Sequence, residues 1–329
     1  RVPLLSQRIG WIAFMQAVAC LGLIILSSGE PWPLGVLFAI GLVVTTAVAT
    51  MDIALEALIV DSVDERGRSL AAACKIVSFC VGAILGGGVI VAVTDMIGWR
   101  GIFLCLAALS ALAMLPLVLL REGDRGGATH TAFTLRMLLA RPVFLKRLAI
   151  SCLLFSAIVS LFALNRVALM DLGMSLETNG WIVGTIGPLI SIGGALLAAA
   201  GVRLFGTAPV LYFSSAGAIA TGLVWAAAAA TSNLTAGTLA TLVGAGFLAG
   251  IYTVIYAAIL RWSVGPTSAT DYAVLFSFGN LAGLVAAGLA TQFIALVGWP
   301  LFYVAATALF IAVIALAKSF LLEADVKEE

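Results

Sequence analysis

Carboxylates, cations and phenols stand at helical spacing inside an otherwise apolar sequence, and they are the residues with which this chain could do chemistry. Asp52 and Glu56 are four positions apart, so in a helix they share one face, continued by Val48, Ala49 and the hydroxyl of Thr45. Two carboxylates one turn apart repel when both are ionised, which suits the pair to gaining and losing a proton. Other roles are open: Asp52 as a fixed clamp to Lys75, Arg66 or Arg68, and Glu56 as a residue that simply reaches the interface. Lys75 lies about six residues into its apolar run, roughly 9 Å deep at the helical rise. It either snorkels back to the surface or forms with Asp52 a pair that protonation makes and breaks. Arg166, next to Asn165, carries a fixed fork of donors suited to capturing an anionic solute. A salt bridge to Asp171 or Glu177 is its alternative role. Tyr252 and Tyr256, again four apart, could line a pathway and hydrogen-bond a solute, or could pack between helices.

Other residues bend or join helices. Gly82, Gly86, Gly87 and Gly88, and Gly184, Gly187, Gly193 and Gly194 around Pro188, permit close helix approach and local bending. Gln16 and Asn280 are polar within apolar runs and read as hydrogen-bonding links between helices. The five cysteines, Cys20, Cys74, Cys80, Cys105 and Cys152, lie in apolar runs without C-x-x-C spacing and read as packing residues. The single histidine, His130, sits in a polar connection, and Gly244-x-Gly246 follows no strand. With no H-E-x-x-H or G-x-S-x-G in the sequence, no catalytic residue, metal, cofactor or nucleic-acid partner is expected, and an enzyme is disfavoured.

The elements that must position these groups follow from composition. The chain has 329 residues, 63% hydrophobic and 10% charged, against about 25% charged in soluble domains. Mean hydropathy is +1.18. A water-soluble protein is excluded, and long continuous apolar runs disfavour a barrel of short alternating strands. Ten runs can be marked, at about 9–28, 34–60, 69–94, 99–120, 145–168, 178–201, 208–230, 234–261, 270–295 and 297–320, each near the ~20 residues that cross a bilayer as a helix. The fold class is therefore all-α and polytopic. Apart from Lys75, Arg100 and Arg166, the 17 basic residues fall on one side of this map. The positive-inside rule then places both ends and the basic 121–142 connection in the cytoplasm. No signal-peptide pattern opens the sequence.

A comparison of the chain with itself at an offset of 200 residues aligns Gly98-Trp99 with Gly298-Trp299, Gly88 with Gly288 and Phe103 with Tyr303. Asp52 and Glu56 fall opposite Tyr252 and Tyr256. Two halves of like topology, 1–120 and 143–329 joined by 121–142, are expected, the design in which solute binds near the midplane between halves. The Gly-Trp turn follows five spans in the second half and three in the first, which predicts a twelve-span parent of which this chain holds helices three to twelve. A closed symmetric ten-helix bundle would contradict that.

Two sixes of spans with a basic central connection resemble the major facilitator superfamily. Ala49-Thr-Met-Asp-Ile-Ala-Leu-Glu-Ala57, Glu65-Arg-Gly67, Gly82-x-x-x-Gly-Gly-Gly88 and Gly98-Trp-Arg100 resemble its branch of muropeptide permeases, acetyl-CoA transporters and siderophore permeases. Ala269-Thr-Asp-Tyr-Ala-Val-Leu275, Gly298-Trp-Pro-Leu-Phe-Tyr303 and Arg8-Ile-Gly-Trp11 with Gln16 agree. The chain departs from the branch in having Met51 before Asp52, Glu56 in place of a second Asp, and Cys80 where a basic residue often precedes the triple glycine. The resemblance implies a monomeric secondary active transporter of the bacterial inner membrane, importing a muropeptide or iron-siderophore class solute with protons by alternating access. Efflux of amphipathic drugs by proton antiport is the alternative, and a non-transporting receptor or scaffold a remoter one.

Overall fold

In a bilayer every backbone N–H and C=O must be satisfied within the protein, and an apolar run achieves that most simply as a helix. The computed structural model describes residues 7–29, 32–63, 67–89, 94–116, 141–263 and 268–322, and each element among them is helical. Arg66, the central connection through residue 140 and His130 lie outside the described residues. The α-helices are α1 Gln7–Ser27, α2 Leu34–Ser62, α3 Arg68–Ala83, α4 Thr94–Leu112, α5 Pro142–Phe162, α6 Asn165–Asp171, α7 Leu176–Trp181, α8 Gly187–Phe205, α9 Thr207–Ala230, α10 Leu234–Trp262 and α11 Ser268–Leu321.

The described residues of the expected runs fall mainly on helix, with 90–93 and 117–120 outside the described residues. Run 145–168 is α5 continued by α6, and run 178–201 is α7 and α8 joined by a π-helical turn, Ile182–Ile186. The last two runs are the two arms of α11, which breaks at Gly298 with φ 75° and ψ 170°. Among the described residues, eight helices are long and apolar enough to cross a membrane. One of these is the 52-residue Thr270–Leu321, and Met96–Leu112 is shorter.

Pro188 explains the π turn before α8. A proline inside a helix removes one i→i−4 bond and crowds the carbonyl four residues back. Here Pro188 stands in the first turn of α8, and just ahead of it the Gly187 N–H reaches back five residues to the Ile182 carbonyl. A second π segment, Ile84–Val89, contains Gly86, Gly87 and Gly88. A Cβ on Gly82 or Gly86 would meet nothing within 4 Å. Gly86 sits in the widened π segment and Gly82 in the α-helix just before it, and neither makes a tight helix contact.

By compactness the chain divides into two units. The first holds α1, α2 and α4. On α1, Ile9, Ile12, Gln16 and Ala19 are buried, while Trp11, Phe14, Leu21 and Ile24 are exposed. Both faces are apolar, so hydropathy does not tell the protein-facing side from the lipid-facing one. Gln16 does mark it: its Nε2 donates to Ser110 O at 2.9 Å and to Ser110 Oγ at 2.7 Å, joining α1 to α4. Asn280 behaves differently, donating to Phe276 O of its own helix at 2.9 Å.

The second unit holds α3 and the helices from α5 onward, with α11 from Ala273. One tight seam is Gly194 on α8 against Gly246 on α10, where a Cβ would strike the opposite backbone. Small residues at such a crossing replace the hydrophobic drive that lipid removes. The helix α3 docks on the same pair through Ala73, Ile76 and Cys80, buried with Ala195, Ala199 and Ala249. Cys80 is thereby a packing residue, as are the other small residues of this seam.

Candidate functional site

Docking of α3 fixes where Lys75 can reach. Its stem leaves the helix beside the Ala73 and Ile76 seam, against which Tyr252 and Tyr256 of α10 also pack. Lys75 is half-buried, and its Nζ lies 4.8 Å from the ring centroid of Phe276 on α11 and 5.7 Å from that of Tyr256. An ammonium over an aromatic face is attracted by the ring quadrupole, with about 0.5–1 kcal/mol at exposed sites and about 2 kcal/mol when desolvated.

Four rings from three helices make up this cluster. Tyr252 and Tyr256, one turn apart on α10, stack at 5.8 Å with 26° between planes. Tyr256 and Phe276 are 5.3 Å apart. Phe155 of α5 stands edge-on to Tyr252 and to Phe276, both at 5.8 Å. Phe155 is held by Gly279, where a Cβ would come within 2.9 Å of its ring. The arrangement presents one cation, two phenols and flat apolar faces together, which suits a solute that is anionic at one point and planar or ring-bearing elsewhere.

The structure therefore brings together Lys75, Tyr252 and Tyr256 and adds Phe155 and Phe276, which the sequence reading does not single out. Their type carried no signal, because 17 phenylalanines are scattered through the apolar runs. Phe276 directly follows the Ala269–Leu275 motif, and that adjacency is the one trace it leaves in the sequence.

The carboxylates belong to the other unit and are described there alone. On α2, Asp52 is half-buried and Glu56 is 2% exposed. Both side chains engage neighbouring groups. Thr45, placed on their face by spacing, instead turns its hydroxyl back to Gly41 O at 2.8 Å. An ionisable group costs several kcal/mol in the middle of a bilayer-spanning helix, so a carboxyl as buried as that of Glu56 needs a polar surrounding or a proton.

At α6 the two neighbours Asn165 and Arg166 part company. Asn165 is 4% exposed, and its Oδ1 accepts from Tyr303 OH at 2.9 Å. Tyr303 stacks on Trp225 at 4.8 Å, so Asn165 is built into the packing of unit 2. Arg166 is exposed. Asp171, its expected salt-bridge partner, accepts instead from Trp299 Nε1 at 2.8 Å. Arg166 lies over the π turn: a Cβ at Gly184 would stand 3.3 Å from its Nη2, so the bare glycine leaves room for the guanidinium. Among the described residues no cluster of metal-ligating side chains occurs.

The sequence pattern of the Major Facilitator Superfamily matches residues 4–247. The chain belongs to that superfamily. It is thus a multi-pass membrane transporter and not an enzyme, and its substrates are small molecules. Solved structures of the superfamily's fold agree. The proton:xylose symporter XylE, bound to 6-bromo-6-deoxy-D-glucose, superposes with a TM-score of 0.74 at 13% identity, covering 95% of this chain and 80% of that one. The E. coli fucose:proton symporter gives 0.72 at 14%, covering 96% and 84%. A bacterial homologue of the iron transporter ferroportin, in an outward-facing state, gives 0.63 at 17%, covering 97% and 83%.

Proposed function

We propose that this member of the Major Facilitator Superfamily is a secondary active transporter that carries a medium-sized polar solute of the muropeptide or iron-siderophore class inward together with protons, by alternating access. The observation that carries this reading is the ammonium of Lys75 over the rings of Phe276 and Tyr256. Such ring contacts contribute about 0.5–2 kcal/mol each. A hydrogen bond from the ammonium to a carboxylate contributes about 1.5–3 kcal/mol, comparable with the two ring contacts together, so an anionic solute competes with the rings for Lys75. The freed faces of Tyr252, Tyr256, Phe155 and Phe276 then stack against its flat portions. Muropeptides and ferric siderophores both combine anionic groups with rings.

Asp52 and Glu56 supply the proton-binding carboxyls in this scheme. Two of the solved relatives are named as proton symporters and a third as a homologue of an iron transporter, which favours coupling to protons and keeps an iron chelate among the solutes to test. Arg166, exposed beside Gly184, acts as an outer capture group for the same anion. The chain works as a monomer in the bacterial inner membrane with its ends and the 121–142 connection in the cytoplasm.

The test is uptake of labelled muropeptide and of ferric siderophore by proteoliposomes holding the full protein. Lys75→Gln is expected to lower uptake about tenfold or more at limiting solute, the equivalent of one charge-assisted hydrogen bond. Asp52→Asn is expected to abolish uptake driven by a proton gradient while leaving exchange of solute across the membrane. Wild-type rates in Lys75→Gln would overturn the assignment of the site, and expulsion in place of accumulation would overturn the direction.

A further inference from the structure

The second unit has another concave feature, remote in chemistry from the Lys75 cluster. A cavity of about 600 Å³ lies between α8, α9 and α10, within the roughly 300–1,000 Å³ common for small-molecule pockets. It exists because α8 and α10 meet backbone to backbone at Gly194 and Gly246, so that no side chain fills the space beside the seam. Gly193 lines it, and a Cβ there would meet nothing within 4 Å. Leu197, Phe205 and Phe213 line it as well and are 75%, 71% and 71% exposed, an apolar rim suited to meeting lipid. Phe213 and Phe247 form an edge-on pair in the wall at 5.6 Å.

One polar side chain breaks this apolar lining. Ser214 is 4% exposed and lines the cavity. Its Oγ lies over Gly250, 2.5 Å from where a Cβ would stand, so only a glycine leaves room for it. Among the described residues the hydroxyl makes no hydrogen bond. A hydroxyl that faces an apolar cavity without a partner forgoes its hydrogen bond. A plain hydrocarbon chain would leave it so, whereas an occupant with one suitably placed oxygen would satisfy it.

We propose that this cavity is a lateral binding site, entered from the bilayer, for a membrane-soluble amphiphile with a hydrocarbon body and a single hydrogen-bonding oxygen that meets Ser214. Phe213 and Phe247 grip the hydrocarbon body, and Gly193 and Gly194 provide the flat floor against which it lies. The site is independent of the transported solute and of the Lys75 cluster.

The experiment compares two photoreactive probes in proteoliposomes of the full protein: a diazirine-bearing hexadecanol and the matching diazirine-bearing hexadecane. Labelled peptides are mapped by mass spectrometry. The alcohol should label the segments around Leu197, Phe213 and Phe247 about three to ten times more than the alkane does, the ratio one hydrogen bond allows. Ser214→Ala should bring alcohol labelling down to the alkane level and leave the alkane unchanged. Gly193→Leu, whose Cβ meets nothing within 4 Å, should reduce the cavity and suppress labelling by both probes there while the melting temperature holds. Equal labelling by the two probes, or alcohol labelling untouched by Ser214→Ala, would overturn the proposal and leave ordinary lipid contact. Labelling spread as heavily over the exposed Leu284 and Leu289 as over the cavity would do the same.

Discussion

The two Gly-Trp turns share a backbone and differ in what they hold. Gly98 has φ 64° and ψ 177°, and Gly298 has φ 75° and ψ 170°. In each, the following tryptophan donates its indole N–H to a distant part of its own unit. Trp99 donates to the Leu26 carbonyl at 2.9 Å, an acceptor that any residue at 26 would offer. Trp299 donates to the side chain of Asp171 at 2.8 Å. One turn later the difference widens. Phe103 packs on Trp99 at 4.8 Å without a polar partner, whereas Tyr303 stacks on Trp225 and donates to Asn165. A repeat at the level of chain geometry thus carries a backbone latch in one half and a side-chain latch in the other. The second can be dissolved by substituting its acceptor, and the first cannot.

Substitutions can break this comparison or sharpen it. The largest effect is expected at the glycines. A φ near +70° with ψ near 180° is essentially closed to residues with a Cβ and costs about 1–3 kcal/mol. A Cβ meets nothing within 4 Å at Gly98 and only Pro300 Cδ at 3.8 Å at Gly298, so the loss is one of backbone and not of packing. Gly98→Val and Gly298→Val should therefore lower the melting temperature in detergent by similar amounts, and a loss at one turn alone would end the equivalence.

Asn165→Ala comes next. It leaves the Tyr303 hydroxyl buried without an acceptor, a loss of about 1–3 kcal/mol, and the first turn has no counterpart to lose. Tyr303→Phe combined with Asn165→Ala should recover part of that stability, because both polar partners are then gone. An additive double variant would show that the hydrogen bond is not the source of the effect.

The smallest effects are expected at the acceptors. Asp171 is exposed, so Asp171→Ala should cost no more than about 1 kcal/mol after solvent screening. Leu26→Ala leaves the Trp99 bond in place, since its acceptor is main chain. Intrinsic tryptophan emission can separate the two: it should shift for Asp171→Ala through Trp299 and stay put at Trp99 for Leu26→Ala.

Much of the molecule was legible in the sequence. Long apolar runs mark helical stretches because a bilayer demands length and hydropathy and little else. The Gly-Trp turns could be found by the repeat because positive φ demands glycine, a constraint of residue type at a single position. The glycines expected to permit bending include Gly86, Gly87, Gly88 and Gly184, which lie in π-helical segments, while Gly82, Gly187, Gly193 and Gly194 lie in α-helix. The site was legible only in part. Tyr252 and Tyr256 stand out as a spaced pair of phenols, yet Phe155, about a hundred positions earlier, closes the same cluster and looks like any apolar residue. Asn165 and Arg166 look alike as a polar pair near a helix start, and the fold buries one and exposes the other.

What the sequence determined by itself is what local chemistry enforces: which segments can leave water, where a glycine must turn the chain, and which superfamily the chain belongs to. The tertiary structure alone decided which face of each helix meets protein, that Lys75 rests over Phe276 and Tyr256, and that Asp171 serves Trp299 in place of Arg166. The physical reason is the solvent. Lipid and protein interior are both apolar, so hydropathy sets depth in the bilayer but not facing. Facing is settled by close contacts such as Gly194 against Gly246 and Ala73 among Ala195, Ala199 and Ala249, which exist only once distant helices meet.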